Sequence, residues 1–129
     1  MKLIPTSKVE IKTSPGKGLG VFAFKKIIKG EIIEECPLHT LKGKETIMEF
    51  YDYIFNFPQA SVNKEELVLP WGYGCIYNHS DDFNAYWRDH PKYKAFQYIA
   101  TRDIEVGEEV CTYYGENQYW DDRSHTKKI

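Results

Sequence analysis

No stretch of this 129-residue chain approaches the roughly 20 consecutive apolar residues that a membrane-spanning helix requires. The opening "MKLIPTSKVEIK" lacks the long apolar segment and small-residue cleavage site of a secretory signal. The expectation is an intracellular protein, of cytoplasm or nucleus, with no membrane partner. A basic excess is also missing. With 17 Lys and Arg against 19 Asp and Glu, the net charge is −2, so nothing drives direct nucleic-acid binding. The terminal "HTKK" is too short to act as a basic tail. Cysteine is scarce, and Cys36, Cys75 and Cys111 are isolated and odd in number. That argues against a disulfide framework and for a reducing compartment. Cys36-x-x-His39 and Cys75-x-x-x-His79 would supply four zinc ligands. Both cysteines lie in apolar runs, however, where a free thiol behaves as a small hydrophobe, and no metal is expected.

What the chain does have is apolar and aromatic mass. Hydrophobic residues make up 42% and aromatics 16%, enough for one compact domain with a core. Ten tyrosines and three tryptophans offer flat walls for a pocket. The acidic pairs Glu34–Glu35, Asp81–Asp82, Glu108–Glu109 and Asp121–Asp122 read mostly as solvated turns, and weakly favour a basic substrate.

Short β-type runs dominate. "KVEIK" alternates as a strand, "SPGKGLG" is a turn, and "VFAFKK" and "EIIEEC" are apolar runs on either side of "KG". "ELVLP", "GCIYN", "NAYW" and "KAFQYIA" follow, and "RDIEVGEEVCTYYG" reads as strand end, Gly turn and further strand. The exception is "TIMEFYDYIFNF", residues 46–57. Its apolar positions Ile47, Phe50, Tyr51, Ile54 and Phe55 have helical spacing, and Pro58 stops it. The expectation is a mostly β domain of many short strands with one main helix.

"GKGLGVFA" holds Gly18-x-Gly20-x-x-Ala23, the spacing of a dinucleotide-binding turn. Its context is poor, because Gly30 interrupts any following helix and strands do not alternate with helices. A hairpin turn explains it equally well. "GYGCIYNHSDDFNAYW" poses a similar choice, since Asn78, His79 and Ser80 either cap a strand through local bonds or floor a site.

Taken in order, "GKGLGVFA", "YNHSDDFNA" and "GEEVCTYYG" resemble the SET domain family of protein-lysine methyltransferases. The likeness covers about residues 8–120 of a single domain spanning 1–129, and is nearest to the small free-standing SET proteins of bacteria and large viruses. It implies a β-clip of several small sheets with a pseudoknot-like loop near the C-terminus, and S-adenosylmethionine as cofactor. Lys17, Gly18 and Leu19 would hold the amino-acid end of the cofactor through their backbone. Asn78 would bind its amino or carboxylate group, and the His79 backbone would face its adenine. Tyr114 would be the active-site tyrosine. Tyr53, Tyr73, Tyr119 and Trp120 are candidates for the substrate channel, with Thr112 where the family carries a Tyr or Phe that governs how many methyl groups are added. The partner implied is a lysine-bearing protein such as a histone. Two departures stand out. Phe83 replaces the usual Pro before Asn84, and no cysteine follows Cys111, so "ENQYWDD" must supply the C-terminal wall, or a homodimer could complete it. A SET-like binding module without turnover and a nucleotide-binding enzyme are the alternatives.

Overall fold

The computed structural model describes residues 2–41, 55–57 and 66–114. β1 (Val9–Ser14) and β2 (Gly18–Ala23) form an antiparallel hairpin with Ser14 opposite Gly18. Its turn uses left-handed glycines, φ 77° at Gly16 and 83° at Gly18, and the Lys17 amide donates to the Ser14 carbonyl at 3.0 Å. The Gly18-x-Gly20 spacing is therefore hairpin chemistry, and no helix follows it.

β2 continues into a four-stranded sheet of order β1-β2-β9-β6, where β6 is Asn78–His79 and β9 is Glu109–Thr112. β6 runs parallel to β9, with Asn78 beside Cys111 and His79 beside Thr112. A two-residue parallel strand cannot come from a hairpin; the chain between β6 and β9 must leave the sheet and return. It does so through the second sheet, of order β4-β5-β3-β8-β7, every pair antiparallel. Its strands are β3 (Ile32–Thr40), β4 (Phe55–Phe57), β5 (Glu66–Pro70), β7 (Ala85–Asp89) and β8 (Ala95–Ala100). An isolated bridge between Ile27 and Ile104 joins the two connections.

β8 is buried at all six residues and supplies the middle of the core. Phe96 and Tyr98 are fully buried, and Tyr98 stacks on Tyr77 with centroids 4.6 Å apart. Each such ring contributes roughly 2–3 kcal/mol by burial. The mostly β expectation holds, and the described residues contain no helix. The expected helix over 46–57 fails at its end. Phe55–Phe57 pairs with β5, and the Phe55 ring meets Trp87 and Phe96 edge-on. Pro58 disfavours helical backbone in the residue before it, and the sheet edge of β5 provides partners instead. Residues 46–54 lie outside the described residues.

The acidic pair Glu34–Glu35 is not a solvated turn, for both side chains are buried in β3. Glu35 accepts from the Ile4 amide at 2.9 Å, from Gln97 Nε2 at 2.7 Å and from His90 Nε2 at 3.0 Å. Glu34 accepts from the Tyr77 hydroxyl at 2.6 Å. Burial still holds the Glu34 carboxyl above its ordinary range, against the lowering effect of its bonds from Tyr77 and the Tyr73 amide.

Candidate active site

Three segments distant in sequence meet at β6. The Asn78 amide nitrogen donates to the Leu19 carbonyl at 2.9 Å and to Glu109 Oε2 at 2.7 Å. The Lys17 ammonium donates to the His79 carbonyl at 3.0 Å. The His79 ring accepts the Tyr114 amide at Nδ1, 2.9 Å away. A plain strand cap would use bonds within a few residues. Ser80 behaves so, its hydroxyl accepting from the Asp82 amide at 3.1 Å, and His79 does so in part, with Nε2 2.9 Å from Asp81 Oδ1. Asn78 and His79 instead tie the glycine turn, β9 and the segment beyond β9 to one point.

Asn78 is half-buried, and both hydrogens of its amide are engaged. Its side-chain oxygen is thus the end left to accept, which suits an ammonium and not a carboxylate. Glu109 sets this orientation. Its other oxygen accepts from the Ser14 hydroxyl at 2.8 Å, so one carboxylate holds both β1 and Asn78. This cluster packs directly over Gly20, where an added Cβ would lie 2.5 Å from Glu109 Oε2 and 3.0 Å from Asn78 Nδ2. At Gly18 an added Cβ would meet nothing within 4 Å, so the turn there is open backbone. Leu19 is more than half exposed beside it.

The Tyr114 hydroxyl donates in a short hydrogen bond to the Tyr77 carbonyl. With that proton committed, the phenol oxygen has lone pairs to offer a neighbour. β9 ends at Thr112, so the alternation that would send Tyr113 and Tyr114 to opposite faces stops before them. Both rings lie against His79, at 5.1 and 5.5 Å, and Tyr113 also meets Phe83 at 5.7 Å. Thr112 is fully buried. Tyr73 is partly buried against the core, and its amide donates to Glu34 at 3.4 Å. Tyr53, Tyr119 and Trp120 lie outside the described residues, as does the part of the C-terminal loop that would complete a pseudoknot.

The cysteines and their histidines serve other ends. Burial pushes the Cys36 thiol far above its usual value, and the Cys75 and Cys111 thiols up to about 11. His39 packs on Trp71 at 5.5 Å, and His79 is committed to Tyr114 and Asp81. Among the described residues no group of three His, Cys, Asp or Glu is disposed to hold a metal.

Sequence reasoning missed Glu109 and undervalued Asn84. Asn84 is buried and acts as a false strand beside β9. Its Nδ2 donates to the Glu109 carbonyl at 2.9 Å, its Oδ1 accepts the Cys111 amide at 2.8 Å, and its own amide donates to the Cys111 carbonyl at 3.1 Å. The signal for Glu109 was an acidic residue opening the otherwise apolar run "VCT", a position that demands a partner.

The chain is similar in sequence and fold to known proteins. Residues 18–115 match the SET domain family. A Schizosaccharomyces pombe histone-lysine N-methyltransferase, specific for H3 lysine-37, is 30% identical over 125 residues, covering 92% of this chain and 80% of the relative. A Plasmodium falciparum crystal structure described as a candidate histone methyltransferase superposes with TM-score 0.75 at 32% identity, over 88% of this chain and 98% of that one. The strand β2 that leaves the glycine turn, the Asn-His strand parallel to β9 and the tyrosine after it all fall within the matched span, and the chain belongs to the SET domain family.

Proposed function

We propose that the chain is an S-adenosylmethionine-dependent protein-lysine N-methyltransferase acting on a histone. The observation that carries this reading is the convergence on β6: Asn78 tied to the glycine turn, and Tyr114 tied to His79. The residues present fit the cofactor. The accepting oxygen of Asn78 matches its ammonium, and the bare turn at Lys17, Gly18 and Leu19 gives the rest of its amino-acid end a place to lie. The main chain of His79 would flank the adenine. When bound, the cofactor supplies a methyl group made electrophilic by its sulfonium.

The protein must present a lysine as free amine, although the side chain ordinarily titrates near ~10.4. A channel lined by aromatic rings disfavours the ammonium by desolvation, and ring faces receive a methylated cation well. Tyr114 need not act as a strong base. Its hydroxyl proton rests on the Tyr77 carbonyl, so its oxygen can accept an N–H of the amine and aim the nitrogen lone pair. Tyr73 and Thr112 stand as channel residues on the same reading. A histone substrate, supported by the names of the two relatives, would place the protein in the nucleus.

Methyl transfer to histones, measured in single turnover, tests this. Tyr114→Phe removes one oxygen and should cost about 10²-fold or more in turnover, with cofactor affinity little changed. Tyr113→Phe keeps the ring contacts to His79 and Phe83 and should retain activity. An active Tyr114→Phe protein would make that tyrosine structural.

A further inference from the structure

We infer that Asp81 is a positioning residue for Tyr114, acting through the His79 ring; this rests on the methyltransferase reading only for its effect on turnover. The His79 side chain is 4% exposed and is gripped at both nitrogens. Nδ1 lies 2.9 Å from the Tyr114 backbone nitrogen, and Nε2 lies 2.9 Å from Asp81 Oδ1. A backbone N–H can only donate, so Nδ1 must present a lone pair. A carboxylate can only accept, so Nε2 must carry the proton. The two contacts together demand one tautomer of the ring, and Asp81 favours it from the Nε2 side.

Without Asp81, the carboxylate that draws the proton to Nε2 is lost, and a larger share of the rings carries it on Nδ1. That proton would face the Tyr114 N–H, donor against donor, and push the tyrosine from the Tyr77 carbonyl that its hydroxyl holds. Asp81 itself is two-thirds exposed and lies outside the sheets, so its loss should leave the fold intact. Described residues that also face His79 include Lys17, whose ammonium donates to its carbonyl, and the rings of Tyr113 and Tyr114.

The test has two arms on the full chain. Nitrogen NMR of the imidazole reads the tautomer without any need for turnover. The unsubstituted protein should show a protonated Nε2 and an unprotonated Nδ1, and Asp81→Ala should shift His79 toward a mixture. Kinetics with S-adenosylmethionine and a histone peptide should show kcat reduced about threefold to tenfold in Asp81→Ala, with KM and cofactor Kd unchanged. Asp81→Asn keeps an acceptor oxygen and should recover much of the loss. An Nδ1-protonated ring in the unsubstituted protein, an unmoved tautomer in Asp81→Ala, or an unchanged kcat there would each overturn the proposal. If the unsubstituted protein transfers no methyl to any histone, the functional reading fails, and the NMR arm still decides the role of Asp81 at the ring.

Discussion

On the proposed reading, a single amide decides which end of the cofactor Asn78 would serve. Glu109 and the Leu19 carbonyl take both of its hydrogens, so the oxygen is left to recognise a cation. Asn78→Ala should weaken S-adenosylmethionine binding by roughly 1.5–3 kcal/mol, the value of a hydrogen bond to a charged group. Titration calorimetry would measure it, and an unchanged affinity would remove Asn78 from the site. On the same reading, Thr112 would bear on the product instead. It is smaller than the Tyr or Phe that the family resemblance places there, so a methylated amine should have room to turn and take a second methyl. Mass spectrometry of long incubations should find di- or trimethyl-lysine, and Thr112→Tyr should shift the product toward monomethyl. That Asn78, His79 and Tyr114 belong to one cluster was legible in the sequence, because each sits in a short motif with the right neighbours. Glu109 was not, because what marks it is a contact with Ser14 and Asn78 across large gaps in sequence.

Strands were legible wherever a run had its own period or its own turn. β1, β5, β7 and β8 fall within a residue or two of "KVEIK", "ELVLP", "NAYW" and "KAFQYIA". β4 was misread because Phe55 continues a helical spacing while its partner, β5, lies beyond Pro58 and invisible to any local window. "GCIYN" was overread as a strand, since Gly72 at φ 74° and the Ile76-to-Tyr73 amide bond make its first half a turn. The hairpin itself offers a sharp test. Gly20→Ala would drive a methyl against the Glu109 carboxylate and Asn78. The carboxylate can swing aside, so the protein should fold with a loss of about 1–3 kcal/mol, seen by chemical denaturation. Cofactor affinity should fall as well, because Asn78 then loses the partner that orients it. At the neighbouring element, Asn84→Ala would strand the Glu109 carbonyl and the Cys111 amide without partners. Two buried unsatisfied groups should cost about 2–5 kcal/mol by the same measurement.

Across the whole molecule, the buried Glu34 ties stability to pH. Its carboxyl is raised in the folded state, chiefly by burial, so the folded protein binds that proton more tightly than the unfolded chain does. The resulting stabilisation is complete below the ordinary carboxylate value and is lost as pH rises through the raised one. Denaturation of the unsubstituted protein and Glu34→Gln over about pH 4 to 8 should show this declining component in the first and not in the second. The order of strands in the first sheet has a consequence for synthesis. β9 lies between β2 and β6, yet it is the last of the three to be made. The N-terminal hairpin therefore emerges from the ribosome with a bare edge and waits for a strand more than 80 residues downstream. Neither the hairpin nor the Asn-His segment has its strand partner in that sheet before β9 arrives. A nascent chain should gain protection against protease in that sheet in one late step, when residues 109–114 clear the exit tunnel, and a stalled chain released before that point should hold neither half of the site.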